Sequence, residues 1–240
     1  MTNYLLSERL KQKGKFRVKL LWIVPIITVL LALVLMNSPN LRNGAYNWWS
    51  TMMLPACITI FVCFSVSNEK MNNRHGLTMV SINKKKLWYA QILLYSYYLF
   101  MCITVFFVFL TITGYVIGVD VHLKRDILTS FSLFISFVWQ IPLWMWVTEK
   151  TGANLTFIIS MFLNIGIPIV FSTTKYWWLP FAIPLRIMCP IIGVQPNGLP
   201  VEAGSYLTDA SVVPIGLVIS VVLFLVLAVF SGLWYENSEV

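Results

Sequence analysis

Long apolar runs, separated by short polar segments, set the plan of this chain. Six stretches, residues 20–41, 43–68, 87–119, 127–148, 151–174 and 210–235, contain no Asp, Glu, Lys or Arg. Each reaches the roughly 20 residues that an α-helix needs to cross the hydrocarbon core of a bilayer. A water-soluble helix would carry charge on its outer face every turn or two. The pattern therefore predicts an all-α polytopic membrane protein with six transmembrane helices, near residues 20–36, 48–68, 87–115, 127–148, 153–173 and 211–234. The third run is 33 residues long, too long for an upright crossing, so it must tilt or project beyond the lipid.

The polar punctuation predicts smaller features. Residues 3–17 precede the first span, and Leu6, Leu10, Gly14 and Val18 recur there at intervals of four among basic residues. Two readings stand: a short interfacial helix lying apolar side down, or a frayed basic tail, with Gly14 weakening the helix. Tyr46-Asn47-Trp48-Trp49 closes the first outer loop, where an interfacial aromatic belt is expected. Pro55 falls one turn into the second span. Gln140-Ile141-Pro142 and Asn164-Ile165-Gly166-Ile167-Pro168 place polar groups beside prolines inside the fourth and fifth spans, and such groups usually face other helices. The inner loop 69–86 is the longest on its side; its segment 72–82 mixes polar and apolar positions and predicts a short helix parallel to the membrane. Residues 175–209 are too apolar for water and too rich in proline for one spanning helix. Short re-entrant or interfacial helices before the last span, packed on protein, satisfy both conditions.

Composition adds two constraints. With 11% charged residues and a mean hydropathy of +0.79, there is no room for a separate soluble domain, so residues 1–240 read as a single transmembrane domain. The net charge of +8 is unevenly spread: with the amino terminus inside, twelve of the seventeen basic residues fall on the inner side. That bias predicts cytoplasmic N- and C-termini. Anionic headgroups account for the basic residues, and no nucleic-acid partner is required. Asn37-Ser38-Pro39-Asn40 offers no small-residue cleavage site, so the first span is expected to stay uncleaved. Cys57, Cys63, Cys102 and Cys189 show no paired framework and read as buried free thiols.

Candidate chemistry is sparse. There is no Gly-x-x-x-x-Gly-Lys-Ser/Thr phosphate loop and no His-Glu-x-x-His helix in the sequence. The two histidines, His75 in an inner loop and His122 in an outer one, are expected on opposite sides of the membrane. Carboxylates sit only at span ends: Glu69 and Glu149 inside, Asp120 and Asp126 outside. Ion-coupled transport usually keeps ionisable groups near mid-membrane, and no nucleophile–base pair stands out. The reading is of a membrane subunit rather than an enzyme, binding no cofactor or metal itself and driven by a separate motor.

Several short motifs point further: Ser7-Glu8 with the following Lys/Arg run, Asn47-Trp48-Trp49 leading to Met53-Leu54-Pro55, Lys84-Lys85-Lys86-Leu87-Trp88-Tyr89-Ala90-Gln91, and Leu179-Pro180 with Ile183-Pro184 and Arg186. In this order the chain resembles the permease subunits of type-2 ABC exporters, and most of all the lantibiotic-immunity permeases of the nisin, epidermin and mutacin self-protection transporters. The resemblance implies two permeases, commonly non-identical, paired with two copies of a cytoplasmic ABC ATPase that binds ATP and magnesium. It implies a bacterial plasma-membrane complex that expels a membrane-bound cationic lantibiotic peptide and confers immunity.

By the same resemblance, Glu69, Arg74, His75, Lys84, Lys85 and Lys86 lie in the region that couples to the ATPase, with segment 72–82 at its centre. Leu6, Leu10, Lys11 and Lys15 belong to the interfacial helix beside it. Trp48, Trp49, Trp177, Trp178, Pro180, Pro184 and Arg186 border the outer gate or substrate exit. Gln91 departs from the family, which often carries Lys there; the basic contact then falls to Lys84–Lys86. Plainer readings remain for most of these residues. Glu69 reads equally as a solvated helix-end carboxylate, Lys84–Lys86 as topology determinants, the Trp pairs as belt anchors, and both histidines as loop residues. Two other functions stay open: type-2 ABC export of another amphiphile, such as a lipid or drug, and a motor-free immunity or scaffold protein.

Overall fold

The computed structural model of the protein describes residues 1–36, 40–71, 83–119, 121–202 and 204–238. Its α-helices are α1 (Thr2–Gln12), α2 (Phe16–Leu35), α3 (Leu41–Trp48), α4 (Leu54–Met71), α5 (Lys84–Ile117), α6 (Leu123–Val138), α7 (Gln140–Thr151), α8 (Ala153–Phe171), α9 (Ile183–Ile192) and α10 (Val212–Asn237). A π-helical turn, Trp49–Met53, joins α3 to α4, and a 3₁₀ turn, Tyr206–Thr208, precedes α10. Among the described residues the only β-pairing is one isolated bridge between Val194 and Pro200. Six helical stretches are long and apolar enough to cross a membrane: Phe16–Leu35, Leu41–Lys70, Lys84–Ile117, Leu123–Thr151, Ala153–Phe171 and Val212–Asn237. This number matches the expectation from hydropathy and fits a multi-pass membrane protein.

Several boundaries differ from the sequence reading, and two of the shifts move expected site residues into helices. The second span begins at Leu41, so Tyr46-Asn47-Trp48-Trp49 is helical rather than loop. The third begins at Lys84, so the three lysines form its first turn; the Asn83 side chain accepts the Lys86 backbone N–H at 2.9 Å and caps it.

Prolines account for the irregular turns. A proline removes one backbone donor, and its ring crowds the carbonyl four residues earlier. Pro55 acts in this way on Thr51, and the helix widens into a π turn across Trp49–Met53. Pro142 acts on Val138, and the fourth span breaks there into α6 and α7, with Trp139 between them still near helical dihedrals at φ −64°, ψ −22°. The polar residues beside the prolines do face other helices. Gln140 Nε2 donates to Asn164 Oδ1 at 2.7 Å, Asn164 Nδ2 donates back to Gln140 Oε1 at 3.1 Å, and both amides are buried. Thr59 and Ser160 hydroxyls meet at 2.6 Å, tying the second span to the fifth.

The second and fourth spans form the centre: 61% of each hydrophobic window is buried, against 17–33% for the other four. The second span packs on α2, α7 and α8, while α5 packs on α1, α2, α6 and α10. In the core, the Trp49 ring lies flat on Phe106, 4.5 Å between centroids and 3° apart in plane, with Tyr46 edge-on to the same ring. The outer helices keep apolar side chains such as Phe162, Val218 and Leu225 exposed, as lipid-facing surfaces do. All four cysteines are free and buried.

Candidate functional site

The ends of the bundle carry two different polar arrangements. At the first, α1 docks on α5 through a polar face. Glu8 and Gln12 are one helical turn apart and so project together; both are buried, Glu8 completely. Lys11 Nζ donates to Glu8 Oε1 at 2.5 Å and to Glu69 Oε1 at 2.6 Å. From the first turns of α5, Gln91 Nε2 donates to Glu69 Oε2 at 2.6 Å and to Glu8 Oε2 at 3.3 Å. Two carboxylates from α1 and α4 thus share one ammonium and one amide. Beside it, Arg17 Nε donates to Gln12 Oε1 at 2.7 Å and ties α1 to α2.

Electrostatics follow from this crowding. Burial and the nearby Glu69 carboxylate push the Glu8 carboxyl above its ordinary value of 4.5, and the hydrogen bonds from Lys11 and Gln91 only partly offset the rise. Burial disfavours the Lys11 ammonium, but Glu69 and Glu8 outweigh it and hold Lys11 above 10.5. Leu6 and Leu10 point away from this network and are exposed, 58% and 68%. The helix expected over residues 3–17 therefore exists as α1, ends at Gln12, and buries its polar side rather than its apolar one. Lys15 is exposed in the link to α2.

Other expected residues gather at the same end. Lys84 Nζ donates to the Ser238 carbonyl at 2.8 Å, Lys85 pairs with Glu236 at 3.1 Å, and Lys70 Nζ reaches the Glu149 carbonyl at 2.9 Å. The starts of α1 and α5 also meet, the Asn83 N–H donating to the Tyr4 hydroxyl at 3.3 Å. Arg74, His75 and the rest of segment 72–82 lie outside the described residues.

At the opposite end, Arg42 pairs with Asp126, and the Tyr46 hydroxyl donates to the same carboxylate at 3.3 Å. All three are buried. Removing one partner of such a pair leaves a bare buried charge, at a cost of about 3–5 kcal/mol. Next to this pair runs the return segment between α8 and α10. Its helix α9 has ten residues, too few to span, and all but Pro190 are buried. Arg186 at its centre donates to the Leu207 and Tyr206 carbonyls, each at 3.0 Å, which closes the segment on itself. Gln195, Asn197, Glu202 and Tyr206 line a polar cavity of about 670 Å³ beside it.

The expected gate residues divide. Trp178 is exposed, Trp48, Trp177 and Pro180 are half-buried, and Pro184 and Arg186 are buried inside the return segment. Trp49 is fully buried against Phe106, so it packs the core instead of anchoring a belt. The π turn before Pro55 begins at Trp49, within a helix that extends back to Leu41; Trp49 and Ser50 are buried in it, while Met52 is exposed.

Three functional candidates escaped the sequence reading. Gln12 and Arg17 were read only as part of a basic segment, although Glu8 and Gln12 share a helical face opposite Leu6 and Leu10. The Arg42–Asp126 pair joins two segments taken as separate outer loops, and only their pairing shows the match of charge. Among the described residues no group of three His, Cys, Asp or Glu side chains is placed to hold a metal ion. The arrangement can fasten helices and present surfaces. No protein-family model, characterised protein or solved structure matches the chain.

Proposed function

We propose that this chain is the transmembrane subunit of an ABC transporter that expels a lantibiotic peptide from the membrane and confers immunity, powered by a separate cytoplasmic ATPase. One observation carries the reading. Glu8, in a motif of the resemblance, comes together with Glu69 and Gln91 from three distant parts of the sequence, and they converge on one clasp. The clasp fixes α1 beside the end of α4, where segment 72–82 departs. A motor docked on that segment then pushes on a surface already fastened to α1 and α5, and no phosphate loop in this chain supplies the energy instead.

In this arrangement the α1 end faces the cytoplasm and Arg42, Asp126 and the return segment face outward. Two copies of the ATPase, carrying ATP and magnesium, and a second similar permease complete the complex in the bacterial plasma membrane. The substrate is a membrane-bound cationic peptide, and the polar cavity beside α9 with its Glu202 carboxylate offers a matching outer surface.

The test is gentle extraction from native cells. An ATP-hydrolysing subunit should co-purify with this chain, the chain alone should hydrolyse no ATP, and a Walker-lysine variant of the partner should abolish survival of peptide challenge. Extraction that yields no nucleotide-binding partner, or protection that survives the Walker variant, defeats the proposal and leaves a motor-free immunity or scaffold protein. An ATPase partner with unchanged peptide survival in deletion strains points instead to export of another amphiphile, a lipid or drug.

A further inference from the structure

A groove of about 620 Å³ opens between α1, α2 and α5, on the side of α1 away from the carboxylate clasp. It exists because the chain turns sharply at Gly14, whose φ of +76° suits glycine and strains other residues. The turn sets α1 at an angle to α2, and α5 forms the third wall. Leu10, Trp22, Tyr98 and Met101 make most of the lining apolar, and Leu10 and Trp22 remain 68% and 49% exposed.

Arg9 on α1 and Lys13, the residue that closes it, also line the groove, four positions apart. Both are exposed, and neither makes a side-chain hydrogen bond or ion pair among the described residues. The nearby acids are engaged elsewhere: Glu8 is buried on the next face of α1, and Lys11 and Gln91 occupy both Glu8 and Glu69. The groove is therefore cationic at α1 and apolar along α2 and α5, which are among the helices apolar enough to cross a bilayer.

We propose that this groove binds an anionic phospholipid, its phosphate held by Arg9 and Lys13 and an acyl chain laid between Trp22 and Met101. The charge selects the occupant. A cationic peptide is repelled by the two basic groups, and a zwitterionic lipid gains little from them, whereas a headgroup of net negative charge is attracted. The volume falls within the roughly 300–1,000 Å³ usual for sites that take one small molecule. The inference rests on the helices crossing a membrane, not on the transporter reading.

The experiment is native mass spectrometry of the full chain in mild detergent, offered phosphatidylglycerol and phosphatidylcholine of identical acyl composition. Phosphatidylglycerol should be retained in roughly thirtyfold preference, as two basic side chains near an anionic headgroup predict. The Arg9→Gln/Lys13→Gln variant should bring the two lipids close to parity, while Lys15→Gln/Lys19→Gln, which alters exposed basic residues outside the groove, should preserve the preference. Phosphatidylglycerol with brominated acyl chains should quench tryptophan fluorescence, and Trp22→Phe should remove part of that quenching. Equal retention of both lipids by the unaltered chain overturns the proposal, as does equal loss of preference in both double variants. Dimers that persist in phosphatidylcholine alone and shield Trp22 from the brominated lipid also overturn it, making the groove a contact between copies of the chain. None of these readouts needs the ATPase, so failure here and failure of the transporter reading are separable.

Discussion

Glu8 is the residue most strained by its surroundings. It is fully buried, faces a second carboxylate, and is satisfied only by Lys11 and Gln91. Its carboxyl is raised above 4.5, so the folded state holds its proton more tightly than the unfolded chain does. The sign follows by linkage: the stability this group contributes is fully present below about 4.5 and is lost as pH rises through the elevated value. The difference in melting temperature between the Glu8→Gln variant and the parent, measured in detergent, should therefore grow in favour of the variant as pH rises from 4.5 toward neutrality. A pH-independent difference would show that Glu8 titrates as an ordinary carboxylate. Sequence reading isolated Glu8 as part of a motif but not as buried, because a charged residue on a basic helix reads by default as solvated. Of its two partners Lys11 lies only three residues along α1, but Gln91 is 83 residues away, and no local pattern encodes that meeting.

At the scale of elements, the return segment depends on a close approach. A β-carbon on Gly216 would lie 2.9 Å from Ile183 Cγ2 and 3.1 Å from Ile187 Cγ2, so α9 sits almost against the α10 backbone. Both contacts are branched side chains, themselves buried, with little room to shift. Gly216→Val should therefore displace α9 at a cost of about 1–3 kcal/mol. A lowered melting temperature should accompany new reaction of Cys189, buried within α9, with a thiol reagent, read by peptide mapping. Unchanged Cys189 protection would show that the contact yields without moving the helix.

The existence of a short, protein-packed helix here was legible, because apolar residues spaced by prolines admit few alternatives. Its anchor was not. Arg186 looked like one side of an exit, yet its guanidinium serves the Tyr206 and Leu207 carbonyls. The same contrast holds at the second span. Hydropathy located it, but a tryptophan pair scores alike in a lipid belt and in a core, and only the stacking on Phe106 separates Trp49 from Trp48.

For the whole molecule, hydropathy alone sufficed to count the spans, since the cost of leaving backbone unpaired in lipid forces each long apolar run into a helix. Hydrogen bonds then bring the beginning of α1, the start of α5 and the end of α10 to one end of the bundle, through Tyr4 with Asn83 and Lys84 with Ser238. Combined with the bias of basic residues, this predicts that both termini are cytoplasmic. Fluorescent-protein fusions before residue 2 and after residue 238 should both fluoresce in cells, and alkaline phosphatase fused at either place should stay inactive. An active phosphatase at one terminus would break the arrangement, since both ends are bonded to adjacent residues at the start of α5.

One span differs from its companions in a way that bears on how force travels. Pro25, Pro55, Pro142, Pro168 and Pro214 each fall within one of the other five crossings, while the 34 residues of α5 contain none. At 1.5 Å per residue it is a rod about 51 Å long, well beyond the thickness of the lipid core. Gln91 near one tip and Phe106 farther along are separated by about 22 Å of unhinged backbone. The amide of Gln91 and the ring beneath the Trp49 indole therefore ride on one stiff rod, as the handle and blade of an oar do.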